Sequence, residues 1–191
     1  MDIKHILSVV AGLLFLAGYA PYIRAILRGE TRPSKASWMI WATLDLITIA
    51  GMFAKHAING QIIGATVGAW VVFTLSLKHG VPGWTKLDKL CLAGGALGIL
   101  LWQAFSSPVM GIVTSSAAIF MGAIPTFKSA WHKPENEDRV AWTIYWLSCV
   151  VALAAIPHWT LADAAQPVVF SINETVVMYL LWLRPWLVHH E

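Results

Sequence analysis

Two stretches of this chain, 104 residues apart, share one pattern of glycine, proline, basic and aromatic residues. Residues 18–38 are "GYAPYIRAILRGETRPSKASW" and residues 122–142 are "GAIPTFKSAWHKPENEDRVAW". A constant offset aligns them without a gap, so each copy predicts a helix containing a glycine and a proline, a polar loop, and a second helix that opens with aromatic residues. The aligned pairs are Gly18 and Gly122, Pro21 and Pro125, Arg24 and Lys128, Trp38 and Trp142, Ile40 and Ile144, and Trp41 and Tyr145.

The composition is that of an integral membrane protein. Hydrophobic residues make up 58% of the 191 residues, charged residues only 12%, and the mean hydropathy is +0.65. A soluble domain is close to half apolar and a quarter charged. Apolar stretches long enough to cross a bilayer recur along the whole chain, so residues 1–191 are expected to form one all-α membrane domain in contact with lipid.

Hydropathy predicts seven transmembrane helices, and the positions of the basic residues orient them. Eleven of the thirteen lysines and arginines fall on one side of the alternating loops, and only Lys4 and Lys55 fall on the other. The positive-inside rule then places the N-terminus outside and the C-terminus in the cytoplasm, as in a bacterial inner membrane. The basic loops also account for the pI near 9, so no nucleic-acid partner is needed. The predicted spans are 3–27, 36–54, 57–77, 87–105, 109–130, 139–156 and 166–183.

The repeat and the charge pattern together predict a 3+1+3 arrangement. A third apolar span follows each copy, which gives a first three-helix repeat at 1–80 and a second at 107–191. Because three is an odd number, two such units point the same way only if one more span reverses the chain between them. The segment 81–106 supplies that linker helix. Parallel repeats are a known transporter architecture, with the solute site near mid-membrane between the halves.

The segments "GYAPYIRAI" and "GAIPTFKSA", each followed by a helix that opens with tryptophan, resemble the PQ-loop superfamily, which includes the SWEET sugar transporters and nicotinamide riboside transporters. Tyr22 and Thr126 stand where that superfamily has its glutamine. The resemblance implies two three-helix bundles around a central solute path, with the third helix of each bundle packed between the other two.

One face of span two combines aromatic rings with an acid. Trp38, Trp41 and Asp45 follow an i, i+3, i+7 spacing, and the second copy places Trp142 and Tyr145 on the equivalent face. A carboxylate at mid-membrane is expensive to expose to lipid, so this face is predicted to line a cavity and contact solute. For Trp38 and Trp142 a place in the interfacial aromatic belt stays open.

Span seven carries two polar residues at its centre, Asn173 and Glu174. The resemblance implies a substrate hydrogen bond for Asn173, since an asparagine on the third helix of each bundle makes one in the SWEET transporters. The first half has Thr66 and Gly68 in the aligned region instead. Three roles are possible for Glu174 and Asp45. They could couple transport to protons, they could be protonated acids that hydrogen-bond to a neighbouring helix, or they could attract a cationic substrate.

Pro21 and Pro125 are predicted hinges, because proline removes a backbone donor and lets a helix bend. Gln61, Gln103 and Gln166 lie near the outer ends of predicted spans, and Thr48, Thr66 and Ser171 are candidates for the lining of a polar path; all six are weak signals. The seven histidines lie at span ends without metal-ligand spacing, and Cys91 and Cys149 lie inside apolar spans. We therefore expect no metal and no cofactor.

The sequence favours a transporter or facilitator for a small polar metabolite, such as a sugar, vitamin or amino acid, that works by alternating access. The alternative is a seven-helix receptor of the same scaffold that binds a ligand or partner without transport. A retinal protein would need a lysine in span seven, which has none. No protease-like motif surrounds Asp45 and Glu174, so an enzyme is not expected. Homo-oligomerisation, flux direction and energy source stay open.

Overall fold

The computed structural model describes residues 2–81, 84–86, 89–90, 93, 96, 100, 103–104 and 107–188. Within these residues the regular structure is helical throughout, without a strand. The predicted fourth span, 87–105, lies for the most part outside the described residues, so the linker helix stays a prediction. The helices are α1 (Ile3–Leu27), α2 (Lys35–Ala54), α3 (Gly60–His79), α4 (Pro108–His132), α5 (Arg139–Ala155), α6 (Leu161–Met178) and the short α7 (Arg184–Val188), with a π-helical turn at Tyr179–Leu183 joining the last two.

Polar side chains fix where these helices begin. The side chains of Ser34, Asn59, Asp138 and Thr160 each accept a hydrogen bond from the backbone N–H three residues on, at 2.7–3.3 Å. Such N-caps satisfy helix donors that no carbonyl within the helix can reach. Ser34 and Asp138 are also related by the 104-residue offset, so the sequence repeat extends to the helix caps.

Helix α6 starts five residues before the predicted span. Its N-cap is Thr160, and Asp163 lies in the first turn, with Thr160 Oγ1 donating to Asp163 Oδ2 at 2.6 Å. A prediction from hydropathy leaves out the first turn of α6 because that turn contains a charged residue, so the predicted span begins only at residue 166. Just after the C-terminal end of α1, Gly29 has a φ of +74°, the left-handed conformation that glycine favours beyond a helix C-terminus.

The six long helices pack as a closed ring. Helix α3 packs between α1 and α2, and α6 packs between α4 and α5. The two sets of three then meet along two seams, α1 against α5 and α2 against α4. The ring order is therefore α1, α3, α2, α4, α6, α5, and the buried aromatic cluster lies inside it.

Both sets of three helices point in the same direction. The loop after α1 hydrogen-bonds to the loop after α4, through Arg32 N–H and the Asn136 carbonyl at 3.0 Å. The end of the ring that holds these loops is called the basic end here. At the opposite end, Lys4 Nζ donates to the Ala154 carbonyl at 2.7 Å, and Gly60 N–H donates to Ser8 Oγ at 2.8 Å. The helix termini and loops at the basic end carry nine basic residues: Arg24, Arg28, Arg32, Lys35, Lys78, Lys128, Lys133, Arg139 and Arg184.

The outer surface of the ring is apolar and much of its interior is polar, as lipid contact requires. Large hydrophobic side chains such as Leu13, Phe53 and Val67 are exposed, whereas Asp45 and Gln61 are buried. Five helices are long and apolar enough to cross a membrane, namely α1 to α4 and the stretch Leu161–Leu183. Helix α5 is apolar but has only 17 residues. The described residues thus fit a helical integral membrane protein.

A candidate solute cavity at the centre of the helix ring

A small cavity lies at the centre of the ring, where all six long helices contribute side chains. Its volume is about 30 Å³, which is room for only one to a few waters. The cavity is thus narrow in this conformation. The lining residues are Phe15 and Tyr19 of α1, Trp38, Trp41 and Asp45 of α2, Ala65 and Ala69 of α3, Ile119 of α4, Trp142 and Tyr145 of α5, and Phe170, Asn173 and Glu174 of α6.

Aromatic rings form most of the cavity wall and face in different directions. Trp38 packs edge-on against Trp41 at a centroid distance of 5.0 Å, and Trp142 packs edge-on against Tyr145 at 5.6 Å. Trp41 and Trp142 meet across the two halves at 6.3 Å and 71°. Because neighbouring rings lie at steep angles to each other, they surround a space instead of forming a flat stack. Such an arrangement can enclose a solute.

Five polar atoms of the lining side chains are buried and have no hydrogen-bond partner among the described residues. They come from three helices and both halves of the ring. Leaving such a group unsatisfied costs about 1–3 kcal/mol, and most buried polar groups in folded proteins are paired. Their convergence on one void indicates that water or a solute completes the site. The atoms are Trp38 Nε1, Asp45 Oδ1, Tyr145 OH, Asn173 Oδ1 and Glu174 Oε2.

All seven residues predicted from the sequence to contact solute lie on this cavity, including Trp38 and Trp142, for which an interfacial place was left open. Their role in binding stays a prediction. The two candidate hinge residues, Pro21 and Pro125, do not line it. Helices α1 and α4 run as continuous α-helix through both prolines, so hinge motion also stays a prediction.

A layer of amides separates the cavity from the opposite end of the ring. Gln166 Nε2 donates to Gln61 Oε1 at 3.1 Å, and Gln61 Nε2 donates to Ser148 Oγ at 3.2 Å. Asn59 Nδ2 donates to Gln166 Oε1 at 2.9 Å. Both glutamines are fully buried. We call Gln61, Gln166 and Ser148 the glutamine layer.

The glutamine layer lies one helical turn from the cavity wall on each helix that contributes to it. Gln61 precedes the lining residue Ala65 by four positions, Gln166 precedes Phe170 by four, and Ser148 follows Tyr145 by three. Beyond the layer is a polar vestibule of about 200 Å³. The vestibule is lined by residues that include Asp2, Lys4, His5, Ser8, His56, Asn59, Gln61 and Asp163.

A buried carboxyl closes the basic end. Glu137, in the loop before α5, accepts hydrogen bonds at Oε2 from Tyr22 OH at 2.8 Å and from Trp142 Nε1 at 2.9 Å. Tyr22 belongs to α1 and Trp142 to α5, so this carboxyl joins the two halves along one seam. Trp142 also lines the cavity. We call Glu137, Tyr22 and Trp142 the carboxyl latch.

Burial raises the pKa of Glu137 from 4.5 to about 7, and the hydrogen bonds from Trp142 and Tyr22 offset part of this rise. The pKa is higher in the folded than in the unfolded chain, so the proton on this carboxyl favours folding at low pH. This contribution is complete below about pH 4.5 and is lost as the pH rises to about 7. At 1.36 kcal/mol per pKa unit, the loss is on the order of 3 kcal/mol.

Sequence reasoning missed several residues of this region. Phe15, Tyr19 and Tyr22 form an i, i+4, i+7 aromatic series on α1, and that periodicity was the signal that could have found them. Glu137 gave no such signal, because an acidic residue in a polar loop is expected to be exposed to water. In the structure only 4% of this side chain is exposed. Gln61 and Gln166 were weak candidates that the structure brings together.

The described residues hold no group of three or more histidine, cysteine, aspartate or glutamate side chains that could bind a metal ion. Cys149 is a buried free thiol that accepts from Gln61 Nε2 at 3.2 Å; Cys91 lies outside the described residues.

No protein-family model, curated protein or solved structure matches this chain significantly.

Proposed function

We propose that this chain is a membrane transporter or facilitator for a small polar solute, working by alternating access between two three-helix halves. The observation that carries the proposal is the set of unpartnered polar atoms around the central cavity. These atoms lie on α2, α5 and α6, so both halves contribute. A solute bound there would satisfy atoms on both sides of the seams, which links binding to the relative position of the halves.

The proposed path has a closed layer on each side of the cavity. The glutamine layer separates the cavity from the vestibule, and the carboxyl latch closes the basic end. Opening one layer at a time would expose the cavity to one side of the membrane and then the other. A receptor of the same scaffold needs access from one side only. The presence of two bonded layers therefore favours transport over the receptor alternative.

The 3+1+3 arrangement belongs to this proposal. The ring of two like-directed sets of three helices supports it, because a reversing span is then needed between α3 and α4. Span 87–105 has the length and composition for that role. The resemblance to the PQ-loop superfamily points to the same arrangement. We propose an orientation in a bacterial inner membrane with the basic end in the cytoplasm, since nine basic residues of the described chain lie there.

The proposed mechanism assigns four roles. Trp41 and Tyr145 hold the solute between the halves, while Asn173 donates or accepts a hydrogen bond to it. Asp45 and Glu174 supply the acidic groups of the site, and proton coupling through them belongs to this proposal. Pro21 and Pro125 let α1 and α4 bend as the halves rock.

Solute flux into proteoliposomes tests the proposal. We expect uptake of at least one member of a panel of sugars, vitamins, amino acids and organic amines, measured with and without a pH gradient. The cavity variant Trp41→Leu should abolish that uptake. Trp70→Leu is the matched control, because Trp70 is 40% exposed on the outer face of α3. Absence of flux for every solute, or equal flux in both variants, would contradict the proposal.

A further inference from the structure

A second pocket lies at the basic end, on the seam where α1 packs against α5. Its volume is about 320 Å³, much larger than that of the central cavity. The pocket opens to the outside of the ring, since Ala20 is exposed and 59% of the Val140 side chain is exposed. We call it the seam pocket, and its lining includes Ala20, Arg24, Arg28, Glu30, Asp138 and Val140.

Four charged side chains line the seam pocket without pairing with one another. Arg24 lies in the last turn of α1, Arg28 and Glu30 follow it, and Asp138 caps α5. Within the part of the chain that the structure describes, the side chains of both arginines and of Glu30 make no ion pair and no hydrogen bond. Asp138 Oδ1 accepts from the Ala141 N–H at 2.7 Å, and its Oδ2 has no such partner. Two positive and two negative groups are therefore available to one ligand.

This balance of charges matches a ligand that carries both an anion and a cation. Guanidinium groups bind phosphate oxygens through paired, charge-assisted hydrogen bonds. A primary ammonium group has three donors and no acceptor, so it can donate to carboxylates. A ligand with an anion alone would also meet two acids, and one with a cation alone would meet two arginines. A phosphate ester joined to an ammonium group complements all four side chains.

The surface next to the seam pocket suits the apolar part of a lipid. Leu13, Ala20 and Arg24 share one face of α1 by their i, i+7, i+11 spacing, and 62% of Leu13 is exposed. On α5, Val140 and Leu147 share a face and are 59% and 44% exposed. The surface is thus charged at the basic end and apolar toward the middle of the membrane, as a phospholipid is. Basic pockets between transmembrane helices at the cytoplasmic side are known to bind phospholipid headgroups.

We propose that the seam pocket binds the headgroup of a zwitterionic phospholipid with a primary ammonium group, as in phosphatidylethanolamine. The phosphodiester lies against Arg24 and Arg28, and the ammonium group lies against Glu30 and Asp138. The arginines belong to the end of α1 and Asp138 to the start of α5, so the bound lipid bridges the two halves of the ring. The inference concerns the outer surface and does not depend on the proposed transport function.

Thermal unfolding of the purified full-length protein in detergent, with phospholipid titrated into the micelles, tests the inference. The probes have the same acyl chains and differ only in the headgroup: phosphatidylethanolamine, phosphatidylcholine and phosphatidylglycerol. Phosphatidylcholine keeps the positive charge but has no N–H donor, and phosphatidylglycerol lacks the positive charge. We expect half-maximal stabilisation by phosphatidylethanolamine at a concentration about tenfold lower than by either other lipid. This comparison uses the wild-type chain, so it is decisive even if a variant fails to fold.

Substitutions then locate the two charges. Arg24→Gln and Arg28→Gln each remove a phosphate partner, so each should weaken phosphatidylethanolamine binding about tenfold. Asp138→Asn keeps a side-chain oxygen for the helix cap but removes the charge, so it should reduce the preference for phosphatidylethanolamine over phosphatidylglycerol. Lys78→Gln and Glu135→Gln are the matched controls, because both residues are exposed at the basic end outside the seam pocket. Neither control should change any of the three affinities.

Three results would overturn the inference. Equal or tighter binding of either other lipid by the wild-type chain would mean that the acids do not recognise an ammonium group. Undiminished phosphatidylethanolamine affinity in both arginine variants would place the lipid elsewhere. Soluble glycerophosphoethanolamine has the same headgroup without acyl chains, and equal stabilisation by this compound would assign the pocket to a free phosphate ester instead of a lipid.

Discussion

A pair of glycines related by the sequence repeat offers a matched test of the cavity. Gly18 and Gly122 occupy equivalent positions on α1 and α4. A methyl group added at Gly18 would lie 2.5 Å from Cε1 of Tyr145, which lines the cavity. The same addition at Gly122 would lie 2.5 Å from Cγ2 of Ile40, which does not line it. Alanine at either position therefore creates the same overlap, but only one of the two displaces a cavity wall.

The overlap sets the size of the effect. Carbon atoms in ordinary contact lie about 3.5–4.0 Å apart, so the ring of Tyr145 must move by roughly 1 Å or more, or α1 must separate from α5. Overpacking of this kind costs typically 1–3 kcal/mol, and we expect both Gly18→Ala and Gly122→Ala to lose about that much stability. The cavity has room for only one to a few waters, so a shift of one wall by this distance should weaken solute binding at least tenfold.

Two measurements on the same preparations separate stability from function. Thermal unfolding in detergent should show similar losses for both alanine variants. Uptake into proteoliposomes, normalised to folded protein, should fall at least tenfold for Gly18→Ala and stay within about twofold of wild type for Gly122→Ala. Equal loss of uptake in the two variants would refute the reasoning, as would full uptake in a folded Gly18→Ala protein.

Three further outcomes are expected. Glu137→Gln should remove a pH-dependent loss of stability, so that the unfolding temperature of wild type falls relative to this variant as the pH rises from 5 to 8, measured by thermal unfolding. Gln166→Leu leaves the Gln61 carbonyl without its amide donor, so a cavity cysteine should react faster with thiol reagents from the vestibule side. Pro21→Ala and Pro125→Ala restore a backbone donor within the helix, so each should slow flux in proteoliposomes while solute binding in detergent is retained.

Each of these outcomes has a result that would contradict it, and the proline variants also have a control. A parallel pH dependence in wild type and Glu137→Gln would assign the effect to other groups. Unchanged labelling in Gln166→Leu would mean that the glutamine layer does not limit access. For the prolines, Pro33→Ala in the loop after α1 is the control, and undiminished flux in both helix variants would remove their hinge role.

The positions of the helices and the residues of the cavity could both be predicted from the sequence, but for different reasons. Apolar length gave the spans α1 to α5 to within about three residues, because a membrane enforces long apolar helices. The carboxyl groups of Asp45 and Glu174 are costly to expose to lipid, so the sequence predicts that they face inward. For Asn173 the prediction came from the resemblance to the SWEET transporters. Trp41 and Tyr145 followed from the aligned repeat.

The closed layers could not be read from the sequence. Gln61 and Gln166 are ordinary interfacial residues until the ring places α3 and α6 opposite each other. Glu137 resembles a solvated loop acid until the two halves are packed. These contacts join residues more than 100 positions apart. They depend on the packing of the ring, which local patterns do not specify.

Cysteine accessibility tests most directly the central claim that the cavity opens to both sides of the membrane. Ala69 lines the cavity and is 2% exposed. In a chain with Cys91→Ala and Cys149→Ala, Ala69→Cys would be treated with a small membrane-impermeant cationic thiol reagent, added to one side of oriented proteoliposomes and then to the other. Alternating access predicts reaction from each side, slowed by a transported solute. Reaction from one side only, or from neither, would contradict it.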